Sequence, residues 1–451
     1  LALASCSLCS CAPVLLSTRT RMLSSRRLPL LLLLRSMSAL NFNPSTVSIS
    51  ASFDGGAIEV ESIQGHQIDL KVPDDPFTEL EQKHHKMWFY FRGSGFQQAG
   101  EEDYNFRIVN AGECSYPTAW EGYNVCASYD SEEWFRIPCV YKDQSLCWDF
   151  KPAANQCFFA YFPPYSHERH LGFLGKCNKA AQSQGTPTSG ETGTPAQNVG
   201  SVSVRSLGAT LDGRSMDLVT IGHGPRKIWC VGRQHPGETM AEFFMEGYVL
   251  RLLNCDDPVV RRLRREATFY CVPSMNPDGA LRGHLRTNAC GANLNREWAP
   301  SPGYPAPSLE RSPEVYHVLA EMDRVGCDMF IDVHGDEELP YTFLAGMEGL
   351  EVWGPRLMGL QDVFSDAFKR ASPDFQTEVG YEADPPLEAN LCIGSNQVAQ
   401  RFDCLGFTLE MPFKDTAADP NPITGWSPQR SQVLGGAILT AVDEVVGKLR
   451  W

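Results

Sequence analysis

The chain has 451 residues, of which 43% are hydrophobic and 21% are charged. This length and composition suit a soluble protein with one large and one smaller hydrophobic core, so we expect two domains. The formal net charge of -15 argues against a nucleic-acid partner and against an anionic membrane surface, because the average protein surface would repel both.

Residues 1–47 have the composition of a leader or a disordered segment. Arginines and serines surround the short apolar run from Leu28 to Leu34, which cannot span a bilayer, and the first acidic residue is Asp54. The chain begins with Leu, so two start sites are considered. A start at Met37 predicts a cytoplasmic protein, whereas a start at Met22 keeps a leader suited to a mitochondrion or another organelle.

Sixteen cysteines are spread along the chain up to Cys404. Their spacing is unlike that of a small disulfide-rich secreted protein, so we expect mostly reduced, buried thiols in an intracellular protein. Cys6, Cys9 and Cys11 lie close together but lack a second pair of ligands, and we expect no metal site there.

Residues 48–166 predict an all-β, sandwich-like domain. Polar and apolar residues alternate over 68–72, and residues 88–92 are aromatic-rich and precede a Gly-Ser-Gly turn. Residues 167–200 are interpreted as a connection. Its second half, 181–200, contains almost no large apolar side chains and predicts a linker or a long exposed loop.

Residues 201–451 predict an α/β domain with a mixed sheet flanked by helices. Buried strands are expected at 227–231, 267–273, 327–333 and 406–411, and a helix is expected over 236–254 with a proline in its first turn. Ligands of such sheets collect at the carboxyl ends of the strands, where several polar residues fall.

Three of these polar residues form a candidate metal site. His235 and Glu238 are separated by two residues where a strand meets its helix, and His334 follows another buried strand. Two imidazoles and one carboxylate suit Zn²⁺ and leave an open coordination position, as a catalytic zinc requires. Each histidine alone could equally be an ordinary core residue, and His334 with Glu337 makes a second match to the same spacing.

The remaining candidates carry charge. Asn276 to Gly279 predict a turn, and the loop that follows contains Arg282, Arg286 and Arg296, which could bind a carboxylate or simply face solvent. Glu410 lies inside an apolar strand, where an unpaired carboxylate is costly. It should therefore meet a cation, a metal-bound water or a proton, and such a group is suited to be a general base. A structural salt bridge is the competing interpretation.

Five segments in this order resemble the zinc metallocarboxypeptidase family, specifically its cytosolic, protein-deglutamylase-like branch: His-Pro-Gly-Glu, Asn-Pro-Asp-Gly, Asn-Leu-Asn-Arg, Asp-x-His-Gly-Asp and Thr-Leu-Glu-Met-Pro-Phe. The likeness runs from about residue 48 to the end and implies a carboxypeptidase-like fold. It implies that one Zn²⁺ per chain binds His235, Glu238 and His334, and that Glu410 promotes the attack of water.

The resemblance further implies that Arg286 polarises the scissile carbonyl, while Asn295 and Arg296 bind the terminal carboxylate of the substrate. Two departures accompany it. Asn293 stands where the family usually has an aspartate that orients a ligand histidine. Residues 382–409 contain no tyrosine, so none is assigned the role of the mobile tyrosine of digestive members.

The expected partners are C-terminal tails of proteins or peptides, and glutamate is the first candidate for the released residue. A glutamate pocket needs a basic residue, for which Arg401 is the candidate by position. The arginines at 261, 262, 264 and 265 could attract an acidic tail, but a solvated helix face is the more ordinary interpretation. Two other functions remain open: a zinc amidohydrolase acting on N-acyl amino acids, and a non-catalytic protein that binds zinc or a tail.

Overall fold

The computed structural model describes residues 47–81, 83–97, 103–184, 201–301 and 305–450. Most of the expected leader and the three cysteines within it lie outside these residues, as does 185–200 of the expected linker. Within the described parts, no helix is both long and apolar enough to cross a membrane. The thirteen cysteines found there form no disulfide.

Ten strands build the N-terminal part of the chain: β1 Ser48–Ser50, β2 Glu59–Gln64, β3 Gln67–Lys71, β4 Tyr90–Ser94, β5 Tyr104–Ile108, β6 Asn124–Ser128, β7 Phe135–Pro138, β8 Val140–Lys142, β9 Ser145–Phe150 and β10 Gln156–Ala160. They form two five-stranded sheets, ordered β1-β4-β10-β6-β7 and β2-β3-β5-β9-β8. Aromatic side chains join them: Phe159 of the first sheet lies 4.9 Å from Phe106 of the second, ring centre to ring centre. The expected sandwich-like β domain is confirmed.

The C-terminal part contains the strands β11 Val202–Ala209, β12 Ser215–Gly222, β13 Arg226–Gly232, β14 Ala267–Val272, β15 Met329–Val333, β16 Phe343–Ala345 and β17 Leu405–Glu410. Its helices, together with the one that connects the two domains, are α1 His167–Gln184, α2 Met240–Leu253, α3 Pro258–Glu266, α4 Pro277–Arg282, α5 Pro313–Val325, α6 Pro355–Ala371, α7 Gly394–Phe402 and α8 Pro428–Val445.

These strands form one seven-stranded sheet, ordered β11-β12-β14-β13-β15-β17-β16. The four central strands β14, β13, β15 and β17 run parallel, and the outer strands pair antiparallel. Neighbouring side chains on β13 point to opposite faces. Ile228 joins the core formed with α2, α6 and α8, and Trp229 joins the core formed with α5 and α7. The mixed sheet flanked by helices is therefore confirmed.

The helix expected over 236–254 begins four residues later, at Met240. The residues before it form a turn, because the backbone N–H of Gly237 donates to the carbonyl of Leu285 (2.8 Å) in another loop. Residues 276–279, expected as a turn, instead begin the helix α4, and the side chain of Asn276 caps its N-terminus. The first difference comes from a contact with the loop that carries Arg286, and the second from this local cap.

The β domain packs against the segment that follows β17. The guanidinium of Arg136 on β7 donates hydrogen bonds to the carbonyls of Phe413 (2.8 Å) and Trp426 (3.2 Å). The rings of Tyr161 and Phe413 stack with their centres 4.6 Å apart. The β domain thus contacts Phe413, which lies three residues after Glu410.

Candidate functional site

Three buried side chains meet at the carboxyl ends of β13 and β15. Nδ1 of His235 lies 2.6 Å from Oε1 of Glu238, and Nδ1 of His334 lies 2.9 Å from Oε2 of the same carboxylate. The two Nδ1 atoms are 3.2 Å apart. The structure thus brings the three sequence-predicted metal ligands together, with one possible ligand atom of each within 4.8 Å of the others.

This donor set fits Zn²⁺. Two ring nitrogens that face each other at 3.2 Å beside a buried carboxylate cannot both present lone pairs unless a proton or a cation lies among them. Imidazole nitrogen and carboxylate oxygen are zinc ligands, and three protein ligands leave one position open. Burial and the positive charge of Arg286 lower the pKa of His235 to about 3, which keeps its imidazole neutral and able to bind a metal.

Each histidine is oriented from its far side. Nε2 of His334 lies 3.0 Å from Oδ1 of Asp332, whose other oxygen accepts a hydrogen bond from Nε2 of Gln234 (2.6 Å). Nε2 of His235 lies 3.1 Å from Oδ1 of Asn293. A carboxylate therefore orients one imidazole and a neutral amide the other, and Asn293 can do so without adding negative charge. Gln234 was missed by sequence analysis, although it directly precedes His235.

Glu410 ends β17 and lines the same cavity as the metal ligands. Its side chain is buried, and Oε2 has no hydrogen-bond partner among the residues that the structure describes. Burial raises the pKa of Glu410 well above its ordinary value; the charge of His334 opposes this effect, while Glu238 and Asp336 reinforce it. Such a carboxyl group is suited to take up and hold a proton.

Tyr381 is a site residue that sequence analysis missed. Its hydroxyl donates to Oδ2 of Asp336 (2.6 Å) and lies 3.4 Å from Oε1 of Glu410. The residue is 52% exposed, but the partial desolvation of its hydroxyl and the charges of Glu410 and Asp336 raise the pKa of this phenol, so it remains a proton donor. No tyrosine was assigned a role from the sequence because residues 382–409 contain none. Tyr381 lies 29 residues before Glu410, just outside that interval, and the structure places its hydroxyl in the cavity.

Arg286, Asn295 and Arg296 also line this cavity. Burial lowers the pKa of Arg286, but the nearby Tyr116 and Glu238 raise it by more, so the guanidinium stays charged. Among the described residues Arg286 forms no ion pair with a carboxylate, so its guanidinium is available to a ligand in the cavity. Arg296 donates to the carbonyl of Asn295 (2.6 Å), which fixes the position of its side chain.

All seven predicted site residues line one cavity of about 480 Å³. Tyr116 of the β domain lines it as well, so both domains contribute to its wall. A volume of this size accommodates a terminal amino-acid residue and the peptide bond that precedes it.

Several candidate arginines lie outside this cavity. Arg401 is exposed on α7 and forms an ion pair with Asp323 (2.6 Å), so the expectation that it serves a glutamate pocket is wrong. Arg282 pairs with Asp212 (2.7 Å). On α3, Arg264 is fully buried, so the interpretation of that arginine cluster as a solvated helix face is correct only in part.

The fold, the His-Glu-His cluster and the arginine-lined cavity together define a zinc carboxypeptidase. Sequence models of two families match the chain: the cytosolic carboxypeptidase N-terminal domain over residues 49–162, and zinc carboxypeptidase over residues 195–377. The chain belongs to the zinc carboxypeptidase family and is a metallocarboxypeptidase, a hydrolase.

Three known proteins illustrate the similarity. A metallo-carboxypeptidase from Burkholderia cenocepacia is 43% identical, with a TM-score of 0.80 over 89% of this chain and 100% of that one. A metallo-carboxypeptidase from Pseudomonas aeruginosa, solved in complex with (2-guanidinoethylmercapto)succinic acid, is 40% identical, with a TM-score of 0.79 over the same shares. Human cytosolic carboxypeptidase 4 is 27% identical over 66% of this chain, which spans only 28% of that protein.

Proposed function

We propose that this protein uses one bound Zn²⁺ to release single residues from the C-terminus of peptides or proteins. The proposal rests on one cavity that holds a buried His-Glu-His cluster, two arginines and an oxygen of Glu410 that has no hydrogen-bond partner among the described residues. Zinc supplies a Lewis acid that polarises the scissile carbonyl and lowers the pKa of water.

The chain's own residues would perform the other steps. Glu410 takes a proton from the attacking water at Oε2 and passes it to the leaving amine, a role that suits a buried carboxyl group with a raised pKa. Arg286 donates hydrogen bonds to the carbonyl oxygen as negative charge develops there. Tyr381 keeps its proton, and its hydroxyl, which donates to Asp336 in the free protein, can turn from that carboxylate to donate to a substrate group beside Glu410.

Trimming from the end requires recognition of a terminal carboxylate. Arg296 can bind it, because a guanidinium offers paired donors to a carboxylate and the contact with the backbone of Asn295 holds this side chain in place. Asn295 lies beside it and is itself fixed by a hydrogen bond from the backbone N–H of Gly394 to its Oδ1 (2.8 Å). Amidated peptides should therefore be poor substrates.

Glutamate release from acidic protein tails is the second candidate, and it rests on similarity to the cytosolic carboxypeptidase family alone. The cavity offers it little support, because both lining arginines are assigned to the oxygens of the peptide backbone. The compound in the Pseudomonas complex carries a guanidino group as well as the carboxyl groups of succinic acid, so a cationic terminal side chain belongs in the test beside glutamate. The same family likeness is the basis for proposing a cytoplasmic location.

The proposed function is tested by mass spectrometry of peptides incubated with zinc-loaded protein. The panel contains free and C-terminally amidated versions of each peptide, and N-acyl amino acids. Stepwise release from free C-termini that stops on chelation supports the proposal. Cleavage of N-acyl amino acids alone would favour the amidohydrolase, and tight binding of peptides without release would favour a non-catalytic protein.

A further inference from the structure

The cavity that contains the proposed catalytic residues is strongly acidic. Eight carboxylates line it, against two arginines and no lysine among the described residues. A bound divalent cation together with the two arginines would supply only half as many positive charges as the eight carboxylates supply negative ones. The negative potential of the cavity would repel a terminal glutamate side chain and attract a cationic one.

Beyond Glu410, the cavity wall is formed by residues of the paired strands β17 and β16. Thr408 and Glu410 point to the same side of β17, about 7 Å apart along the strand. Thr408 pairs with Ala345 at the end of β16, and its hydroxyl lies 2.9 Å from that of Ser395. A terminal side chain that passes Glu410 therefore reaches two small hydroxyl groups and the segment that follows β16.

Glu348 lies in this segment and lines the cavity. Nε2 of Gln361 on α6 donates to its Oε1 (2.7 Å), while Oε2 has no hydrogen-bond partner within the described parts of the chain. The carboxylate lies against the backbone of Gly346, where an added Cβ would stand 2.5 Å from Oε2. The side chain is thus held in place and keeps one oxygen for a ligand.

We propose that Glu348 selects the terminal side chain of the substrate, favouring the cations of lysine and arginine over neutral residues and excluding glutamate and aspartate. This inference rests on the proposed carboxypeptidase function. A half-buried carboxylate that faces a cationic side chain gains a charge-assisted hydrogen bond. The same carboxylate repels an anionic side chain, so one residue produces both preferences.

The test measures kcat/KM of zinc-loaded protein for peptides that differ only in a terminal Lys, Gln or Glu. The wild-type protein should prefer the Lys peptide to the Glu peptide by at least about tenfold, and Glu348→Gln should lower this ratio about tenfold or more. Glu348→Gln keeps an oxygen for Gln361, so the fold should tolerate it. Glu351→Gln, which changes an exposed carboxylate three residues away, is the matched control and should keep the ratio.

A wild-type preference for the Glu peptide, or an unchanged ratio in Glu348→Gln, overturns the role of Glu348 and leaves the carboxypeptidase function intact. If no peptide is hydrolysed, the proposed function fails, and calorimetry of the same peptides still tests the pocket. Tighter binding of the Lys peptide that depends on Glu348 would then support the charge preference, and equal or absent binding would overturn it.

Discussion

The carboxylate of Asp75 accepts a hydrogen bond from the backbone N–H of Arg286 (2.8 Å). It also accepts hydrogen bonds from the backbone N–H groups of Leu285 (2.7 Å) and Thr287 (2.9 Å). Asp75 belongs to the β domain and is buried, whereas the loop belongs to the catalytic domain. The β domain therefore fixes the backbone from which the proposed carbonyl-binding arginine projects.

Asp75→Asn should lower kcat by about tenfold or more, because one acceptor oxygen becomes a donor that faces N–H groups and the loop shifts. The free energy of unfolding should fall by about 1.5–3 kcal/mol, as expected for hydrogen bonds to a charged group. Steady-state kinetics well below the unfolding temperature measure the first effect. Asp74→Asn, at an exposed neighbour, should leave kcat unchanged, and an unchanged kcat in Asp75→Asn would exclude a positioning role.

Glu410→Gln should retain zinc and bind peptides but lose about 10²-fold to 10⁴-fold in turnover, because the amide cannot accept a proton. Elemental analysis and single-turnover kinetics separate the two properties. The exposed Glu444 provides the control variant Glu444→Gln. Turnover within a few fold of the wild type would show that another group transfers the proton.

His235→Ala should remove most of the bound zinc, since two protein ligands hold the ion far more weakly than three. Chelation of the wild-type protein should abolish hydrolysis, and added Zn²⁺ should restore it. The unfolding temperature of the wild type, but not of His235→Ala, should rise with zinc concentration. Full metal content in the variant would refute the ligand assignment, and His223→Ala at an exposed histidine is the control.

Tyr381→Phe should lower kcat/KM by up to about tenfold at unchanged zinc content, because one hydrogen bond beside Glu410 is lost. The ring should stay in place, since it packs edge-on against Phe343 with the ring centres 4.9 Å apart. Tyr341→Phe alters a tyrosine outside the cavity and should have no effect. Equal kinetics for both variants would mean that the hydroxyl of Tyr381 takes no part in the reaction.

His170 on α1 predicts a dependence of stability on pH. Burial disfavours its charged form, but a hydrogen bond with Asp217 (3.2 Å) and the nearby carboxylate of Glu242 (3.4 Å) raise the pKa of His170 to about 9. Arg233 pairs with the other oxygen of Glu242 (2.7 Å), so it competes for that carboxylate. Because the folded pKa exceeds the ordinary value, folding is favoured where the histidine is charged.

This contribution should be complete below about pH 6.5 and should be lost as pH rises through about 9, an effect of about 3 kcal/mol. Denaturant unfolding of the wild type and His170→Gln between pH 6 and pH 9.5 measures it. The difference in the free energy of unfolding should shrink as pH rises. A difference independent of pH would show that the pair does not titrate, and His223→Gln should match the wild type throughout.

The sequence by itself determined the two domain types and the seven proposed site residues. Alternating and aromatic-rich strands specify a sandwich, and apolar runs followed by His235, His334 and Glu410 mark the carboxyl ends of strands, where side chains must converge. These are local signals. Periodicity records which side of a strand is buried, and a polar residue directly after a buried run stands out.

Only the tertiary structure decided which residues hold and tune that site. Asp75 lies about two hundred positions before the amides that it binds, Tyr381 reaches Glu410 through a loop of unexpected length, and Glu348 meets Gln361 on a separate helix. Arg401 had the right residue type but the wrong helix face. Such contacts depend on how loops and domains pack, and because the same residue types also serve as ordinary surface charge, no local pattern in the chain distinguishes them.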